Sequence, residues 1–192
     1  MINEFKKLVK NSRSYRRFDN SVPIPKDLLI EWVDMVRYTP SGKNQQSLKY
    51  MIINDPEENK VIFETLSWAG FLTDWQGPQP HEQPTAYIVI LNDKTLSDNY
   101  FCDHGIVAQT IMLAACNEGF GGCILAAINR PRLIKAFTIP QDYEIVLVLA
   151  LGKPAEQIVT EPMIDNEYRY HRDENGIHHV PKRSLHEILV KK

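Results

Sequence analysis

The sequence predicts a single domain of mixed helices and strands, and three observations carry that expectation. A chain of 192 residues suits one compact domain with a sizeable core. Its 43% hydrophobic and 24% charged residues match soluble globular averages and exclude collagen-like, coiled-coil, mucin-like and wholly disordered chains. Short apolar runs of strand length alternate with segments of helical periodicity. No internal repeat or low-complexity segment interrupts the pattern.

In chain order, Ile2, Phe5 and Leu8/Val9 share one face of a helix over residues 2–10. A stronger helix over 26–38 sets Leu28, Leu29, Trp32, Val33 and Val36 at helical spacing behind Pro25. A short strand from Lys49 to Ile53 ends at Asp55-Pro56-Glu57-Glu58. There an aspartate cap, a proline and a glutamate three residues after the cap start a helix that runs to about Leu66. Residues 67–84 hold Trp68, Trp75 and three prolines without a period, and read as a long functional or mobile surface segment. Ala86 to Leu91 is a buried strand, bounded by turn residues.

Residues 100–118 form the longest helix, apolar on nearly every side and stopped by Gly119. Such a helix belongs in a core or a subunit interface. Gly121 to Ile128 leads into a helix capped by Asn129, with Pro131 near its start. Glu144 to Leu151 is expected as the last buried strand, closed by Gly152. Residues 153–192 read as polar and mostly irregular, with a short helix near Ser184 whose capping box Glu187 completes. This tail cannot bury a core of its own. It is either disordered or lies on something else, a partner subunit being a candidate.

A formal charge of −2 argues against a nucleic-acid partner. No apolar run approaches the roughly 18 residues of a membrane span, and residues 1–7 lack the apolar stretch of a signal peptide. Cys102, Cys116 and Cys123 are an odd, widely spaced set that indicates neither a disulfide framework nor a zinc site. The expectation is a soluble protein of a reducing cytoplasm, without a membrane partner.

Four segments could carry chemistry. In Ser12-Arg13-Ser14-Tyr15-Arg16-Arg17-Phe18, three arginines and a hydroxyl could bind a phosphate through charge-assisted, bidentate bonds; alone, the segment is equally a solvated basic turn. Thr39-Pro40-Ser41-Gly42-Lys43-Asn44-Gln45-Gln46 could hydrogen-bond the edge of a heteroaromatic ligand, or simply end a helix. It is not a P-loop, since Asn follows Gly-Lys. Gly119-Phe120-Gly121-Gly122 lacks the third glycine of a dinucleotide fingerprint and follows a helix, which argues against a Rossmann nicotinamide site. His178-His179-Val180-Pro181-Lys182-Arg183 offers a second basic anchor for phosphate. No metal is expected there, because adjacent histidines rarely converge on one ion. No nucleophile elbow or metalloprotease motif occurs, and no catalytic side chain is singled out. A chain so poor in acid, base and nucleophile apparatus suits a bound cofactor that carries the reactivity.

In this order, RSYRRF, the helix running into PSGKNQQ, the apolar helix ending at GFGG and the strand ending LALGKP resemble the nitroreductase family of flavin enzymes over nearly the whole chain. The tail RDENGIHHVPKRSLHEI resembles that of a small-subunit branch. The resemblance implies an α+β, nitroreductase-like fold: one domain over residues 1–192, with a mainly antiparallel sheet flanked by helices. It also implies a homodimer with exchanged terminal segments, the 153–192 tail wrapping the partner, and FMN in each of two interface clefts. Carried over, Arg13, Ser14 and Arg16 match the phosphate stretch, with Arg17 a lesser candidate, and Lys182 and Arg183 match a C-terminal basic pair at the same phosphate. Pro40, Ser41, Gly42 and Asn44 match a flavin-contacting loop from the other subunit, and Leu125, Ala126 and Ala127 the backbone beside the flavin ring. Departures are Ser12 in place of a further arginine, Leu48 near a common tryptophan and Ala126 where one branch has glutamate. The implied activity is hydride transfer from NAD(P)H through FMN to a nitroaromatic, quinone or related acceptor. The alternatives are an FMN store or sensor, or another flavin reaction such as dehalogenation or dehydrogenation.

Overall fold

The computed structural model describes residues 1–190. Its centre is an antiparallel sheet organised on one long strand, β5 (Tyr143–Pro154), with β1 (Phe18–Asp19), β2 (Leu48–Ile53), β3 (Ala86–Asp93) and β4 (Gly121–Leu125). β3 runs along one edge of β5 and carries β2 beyond it. β4 and then β1 share the other edge: Gly121 to Leu125 pair with Gly152 back to Val148, and Phe18 pairs with Pro154.

β3 is buried along its whole length because helices cover both faces. Ile88 and Ile90 face a layer that includes Leu29, Trp32 and Val36 of α2 (Lys26–Val36) and Val107, Ala108 and Ile111 of α4 (Asp103–Asn117). Tyr87 and Val89 face the opposite layer, with Ile62 of α3 (Pro56–Phe63) and Leu133 of α5 (Arg130–Phe137). Period-two alternation between two apolar layers is why AYIVIL reads as a continuous apolar run. Both helix starts follow their caps: Asp55 accepts from the Glu57 and Glu58 amides, and Asn129 accepts from that of Arg132. α1 (Ile2–Asn11) lies against α4 without burying any residue completely.

Four expectations need correction. α2 and α3 stop at Val36 and Phe63, short of 38 and Leu66, in each case through a tight turn. Gly152 does not close β5. It sits within the strand, where a Cβ would stand 2.8 Å from the ring of Phe18, so a side chain there would displace β1. α4 is apolar all round, yet only one side is buried: Val107, Ala108, Ile111, Met112 and Ala115 are covered, while Ile106, Leu113 and Ala114 stay half-buried.

The largest correction concerns the tail. β5 is not the last strand, and the tail is not mostly irregular. β6 (Ile158–Pro162), β7 (His171–Arg172) and β8 (His178–Lys182) form a second, mixed sheet, β8 running parallel to β6 and antiparallel to β7. Charge pairing replaces an apolar core here. The carboxylate of Glu156, 1% exposed, accepts from Nη2 of Arg172 at 2.9 Å and from the backbone amides of Arg16 and Arg17. Within the chain, the tail through β8 thus packs against the segment that holds Arg16 and Arg17. Beyond β8, Ser184 and Glu187 form the expected capping box on α6 (Leu185–Ile188).

Candidate functional site

Arg13, Ser14 and Arg16 follow α1 in an extended stretch held against β4, where the Tyr15 amide donates to the Gly122 carbonyl. This places them on a cavity of ≈ 360 Å³ shared with α4, β4 and the tail sheet. Gln109 and Met112 come from α4, Ile124 from β4, and His178, Val180 and Lys182 from alternate positions of β8. The alternation explains the last set, since residues two apart on a strand share a face. The two basic segments lie 166 residues apart (182 − 16) in sequence and meet only through the tail sheet.

Within the cavity, the Arg16 guanidinium lies 4.6 Å from the centre of the Tyr170 ring and donates to the Ser14 carbonyl at 3.1 Å. Its Nη1 is 3.4 Å from Nε2 of His178. Burial, and then the Arg16 charge, hold the His178 pKa down to about 4, so the ring is neutral at neutral pH. Arg16 Nε and His178 Nδ1 are buried without a hydrogen-bond partner among the described residues, a costly arrangement unless something at the site completes it. Arg13 lines the same cavity, though its guanidinium also donates to the Val9 and Ser12 carbonyls at the end of α1.

Arg17 and Arg183 do not line this cavity. Arg17 turns to Glu82, 3.3 Å away, and towards the Trp75 ring. Arg183 donates to Asn166 and reaches Glu187. Trp75 also lies 4.4 Å from the Arg172 guanidinium, so the irregular 67–84 segment braces the tail rather than lining the basic cavity.

The Pro40–Asn44 loop occupies a separate concavity, with Pro40 and Ser41 beside Leu48, Tyr50, Asp103 and Val107. Asp103, nearly fully buried, accepts from Ser41 Oγ at 2.6 Å and from the Gly42 amide at 2.9 Å. Lys43, Asn44 and Gln46 all have positive φ, a conformation uncommon outside glycine, and the Asp103 bonds hold the loop in it. A Cβ on Gly42 would stand 2.3 Å from the Phe101 ring, so a side chain there would displace that ring. Burial and then Asp103 push the Tyr50 pKa up to about 12, which keeps its hydroxyl protonated. Leu125 is buried at the end of β4, and Ala126 and Ala127 continue from it, exposed, one step beyond cavity-lining Ile124.

The expected residues thus fall into two groups on one α4 scaffold. Asp103 and Val107 wall the loop's concavity, and Gln109 and Met112 wall the basic cavity. Three residues that position these segments escape the sequence reading: Glu156, Tyr170 and Asp103. Only Asp103 carried a local signal, as the acidic residue of a helix first turn. Glu156 and Asp103, the carboxylate partners of the Arg16 segment and the 40s loop, are defined by contacts remote in sequence.

The architecture defines a class first: an α+β protein of nitroreductase-like fold, with a basic cavity beside a sheet edge. A model of the nitroreductase family matches residues 9–153. The chain belongs to the nitroreductase family, a family of oxidoreductases. Its relatives include YodC of Bacillus subtilis (strain 168), provisionally named an NAD(P)H nitroreductase, 24% identical over 183 residues that span 78% of this chain and 91% of YodC. An iodotyrosine deiodinase of Nematostella vectensis is 24% identical over 180 residues, spanning 80% of this chain and 68% of the deiodinase. Among solved structures, ydfN of Bacillus subtilis superposes over 100% of both chains with a TM-score of 0.72 at 17% identity. An FMN complex from Exiguobacterium sibiricum gives 0.66 at 19% identity, covering 79% of this chain and 89% of that one. At these identities the structures speak for the fold.

Proposed function

We propose that this chain is an FMN-dependent oxidoreductase that works as a homodimer and takes hydride from NAD(P)H. The carrying observation is the basic cavity: Arg13, Ser14, Arg16 and Lys182 converge there, and Arg16 Nε and His178 Nδ1 are buried without partners among the described residues. A terminal phosphate fits this donor set. No glycine-rich pyrophosphate loop is present to favour FAD.

When bound, FMN supplies the hydride relay between the nicotinamide and an electron-poor acceptor, a nitroaromatic or quinone. The chain's residues bind, orient and polarise. Arg16 and Lys182 grip the phosphate, with Arg13 and Ser14 beside them. Neutral His178 adds a hydrogen bond without adding charge. The backbone at Leu125, Ala126 and Ala127 borders the ring, where fixed N–H dipoles favour negative charge without a titrating side chain. Pro40, Ser41, Gly42 and Asn44 approach from the second subunit, since their own concavity is separate from the basic cavity of the same chain. Arg17 and Arg183 hold the surrounding segments.

Exposed apolar side chains support the dimer: Ile30 and Met35 on α2, and Leu185, Ile188 and Leu189 around α6. The exchanged segment lies beyond β8. Light scattering checks this reading, and a folded, flavin-loaded monomer at low micromolar concentration contradicts it. The deiodinase relative favours reductive dehalogenation as the second reading, separated by assaying halogenated phenols beside nitroaromatics and quinones. Absence of NAD(P)H turnover with every acceptor would leave a store or sensor.

The deciding experiment titrates FMN and riboflavin into wild type and Arg16→Ala. A charged hydrogen bond is worth about 1.5–3 kcal/mol, so Arg16→Ala binds FMN roughly ten- to a hundredfold more weakly. Riboflavin, which has no phosphate, loses little. An equal loss for both flavins makes Arg16 a support of the fold and overturns the phosphate assignment.

A further inference from the structure

The tail sheet carries a histidine–carboxylate cluster that the flavin reading leaves unused. On β8, His178, Val180 and Lys182 face the basic cavity, so alternation turns His179 to the opposite face. There His179 Nδ1 is 2.9 Å from Glu161 Oε2 on β6, and Nε2 is 3.5 Å from Oδ2 of Asp173 just past β7. His171 on β7 stands directly across from His179, its ring 4.9 Å away and 8° from parallel. One ligand atom from each of Glu161, His171 and His179 lies within 4.8 Å of the others. The adjacent histidines do not converge on one point. The second histidine of the cluster comes instead from the neighbouring strand.

We infer that Glu161, His171 and His179 form a binding site for a divalent transition-metal ion, zinc by chemical preference. Two imidazoles and one carboxylate are a nitrogen–oxygen set suited to a tetrahedral ion with a water in fourth place. Calcium and magnesium would require more oxygen ligands. Donors about 2.1 Å from a tetrahedral ion lie roughly 3.4 Å from one another. The Glu161–His179 pair opens by a few tenths of an ångström to reach this, and His171 closes in. Parallel rings cannot both aim a lone pair at one ion, so His171 must also turn. It is exposed and makes no ring hydrogen bond among the described residues, which leaves it free to do so. With the metal on Nδ1, the Nε2–H of His179 points to Asp173, whose carboxylate then orients the ligand from behind. The ion would tie β6, β7 and β8 together at a point backing directly onto His178 and Lys182.

The competing arrangement is a protonated His179 held between two carboxylates, and metal binding tells the two apart. Tag-free, flavin-loaded protein is stripped with chelator and dialysed, then titrated with Zn2+ by calorimetry and with Co2+ by visible absorption. The expected result is one ion per chain, a tetrahedral Co2+ spectrum and a raised Tm. His171→Ala removes an exposed ring and should leave the far-ultraviolet circular dichroism unchanged while weakening Zn2+ by about a hundredfold or more. Glu161→Gln, near-isosteric, should weaken it comparably. No stoichiometric Zn2+ binding overturns the site, as does wild-type affinity in both variants.

Discussion

The two sheets of this molecule are held by different physics. In the central sheet, β3 and the middle of β5 are sealed between two apolar layers, and strand order follows from burial on both faces. In the tail sheet the strands are short and partly exposed. Their hold on the body of the protein includes the Glu156–Arg172 pair, the Arg16 and Arg17 amides, Trp75 against Arg172 and Phe71 against Tyr170. The central sheet supplies the frame. The tail brings His178 and Lys182 to a cavity whose other basic residues sit at the opposite end of the chain, so the geometry of the site depends on the less apolar half.

Substitutions can break this comparison or sharpen it. Leu149→Asp, at a fully buried position in β5, places an unpaired charge between two covered faces and should abolish folding, read as loss of soluble protein and of native circular dichroism. Glu156→Ala leaves Arg172 and two backbone amides without their acceptor. A broken buried pair costs about 3–5 kcal/mol, and here the loss should appear as opening of the tail. Limited proteolysis should cut residues 156–182 first, with FMN released while the body stays folded. A single global transition in Glu156→Ala would show the two sheets to be one cooperative unit. The smallest effects belong to the caps. Asp55→Ala should cost about 1 kcal/mol in denaturant unfolding, because α3 packs on the central sheet. Ser184→Ala should leave global stability unchanged and speed amide exchange only around α6.

Legibility in the sequence follows the same division. AYIVIL and EIVLVLAL announce buried strands because burial on both faces demands an unbroken apolar run, and Asp55-Pro56 and Asn129-Arg130-Pro131 announce helices because capping is local. β6 and β8 escape because IVTEP and HHVPK mix proline with polar side chains, and their pairing is fixed by partners far along the chain. Half of the site is legible on the same terms. The arginine-rich segment and Lys182 stand out by composition, and the cavity brings them together. Glu156 reads as one more surface acid until Arg172 is folded over it. Asp103 reads as an ordinary first-turn acid, although its carboxylate is spent on Ser41 and Gly42.

The position of β5 has a consequence for how the chain is made. Every strand of the central sheet except β2 pairs with it directly, yet it spans residues 143–154, after all its partners. During synthesis at about 5–20 residues per second, β3 is complete at Asp93 roughly 3–12 s before Pro154 is joined. Through that interval β2 and β3 form at best a two-stranded ribbon, and the edge of β3 that pairs with β5 stays open. A nascent chain in this state is a template for other strands. Slower elongation lengthens the exposure, whereas a chaperone holding the β3 edge until β5 emerges would shorten it.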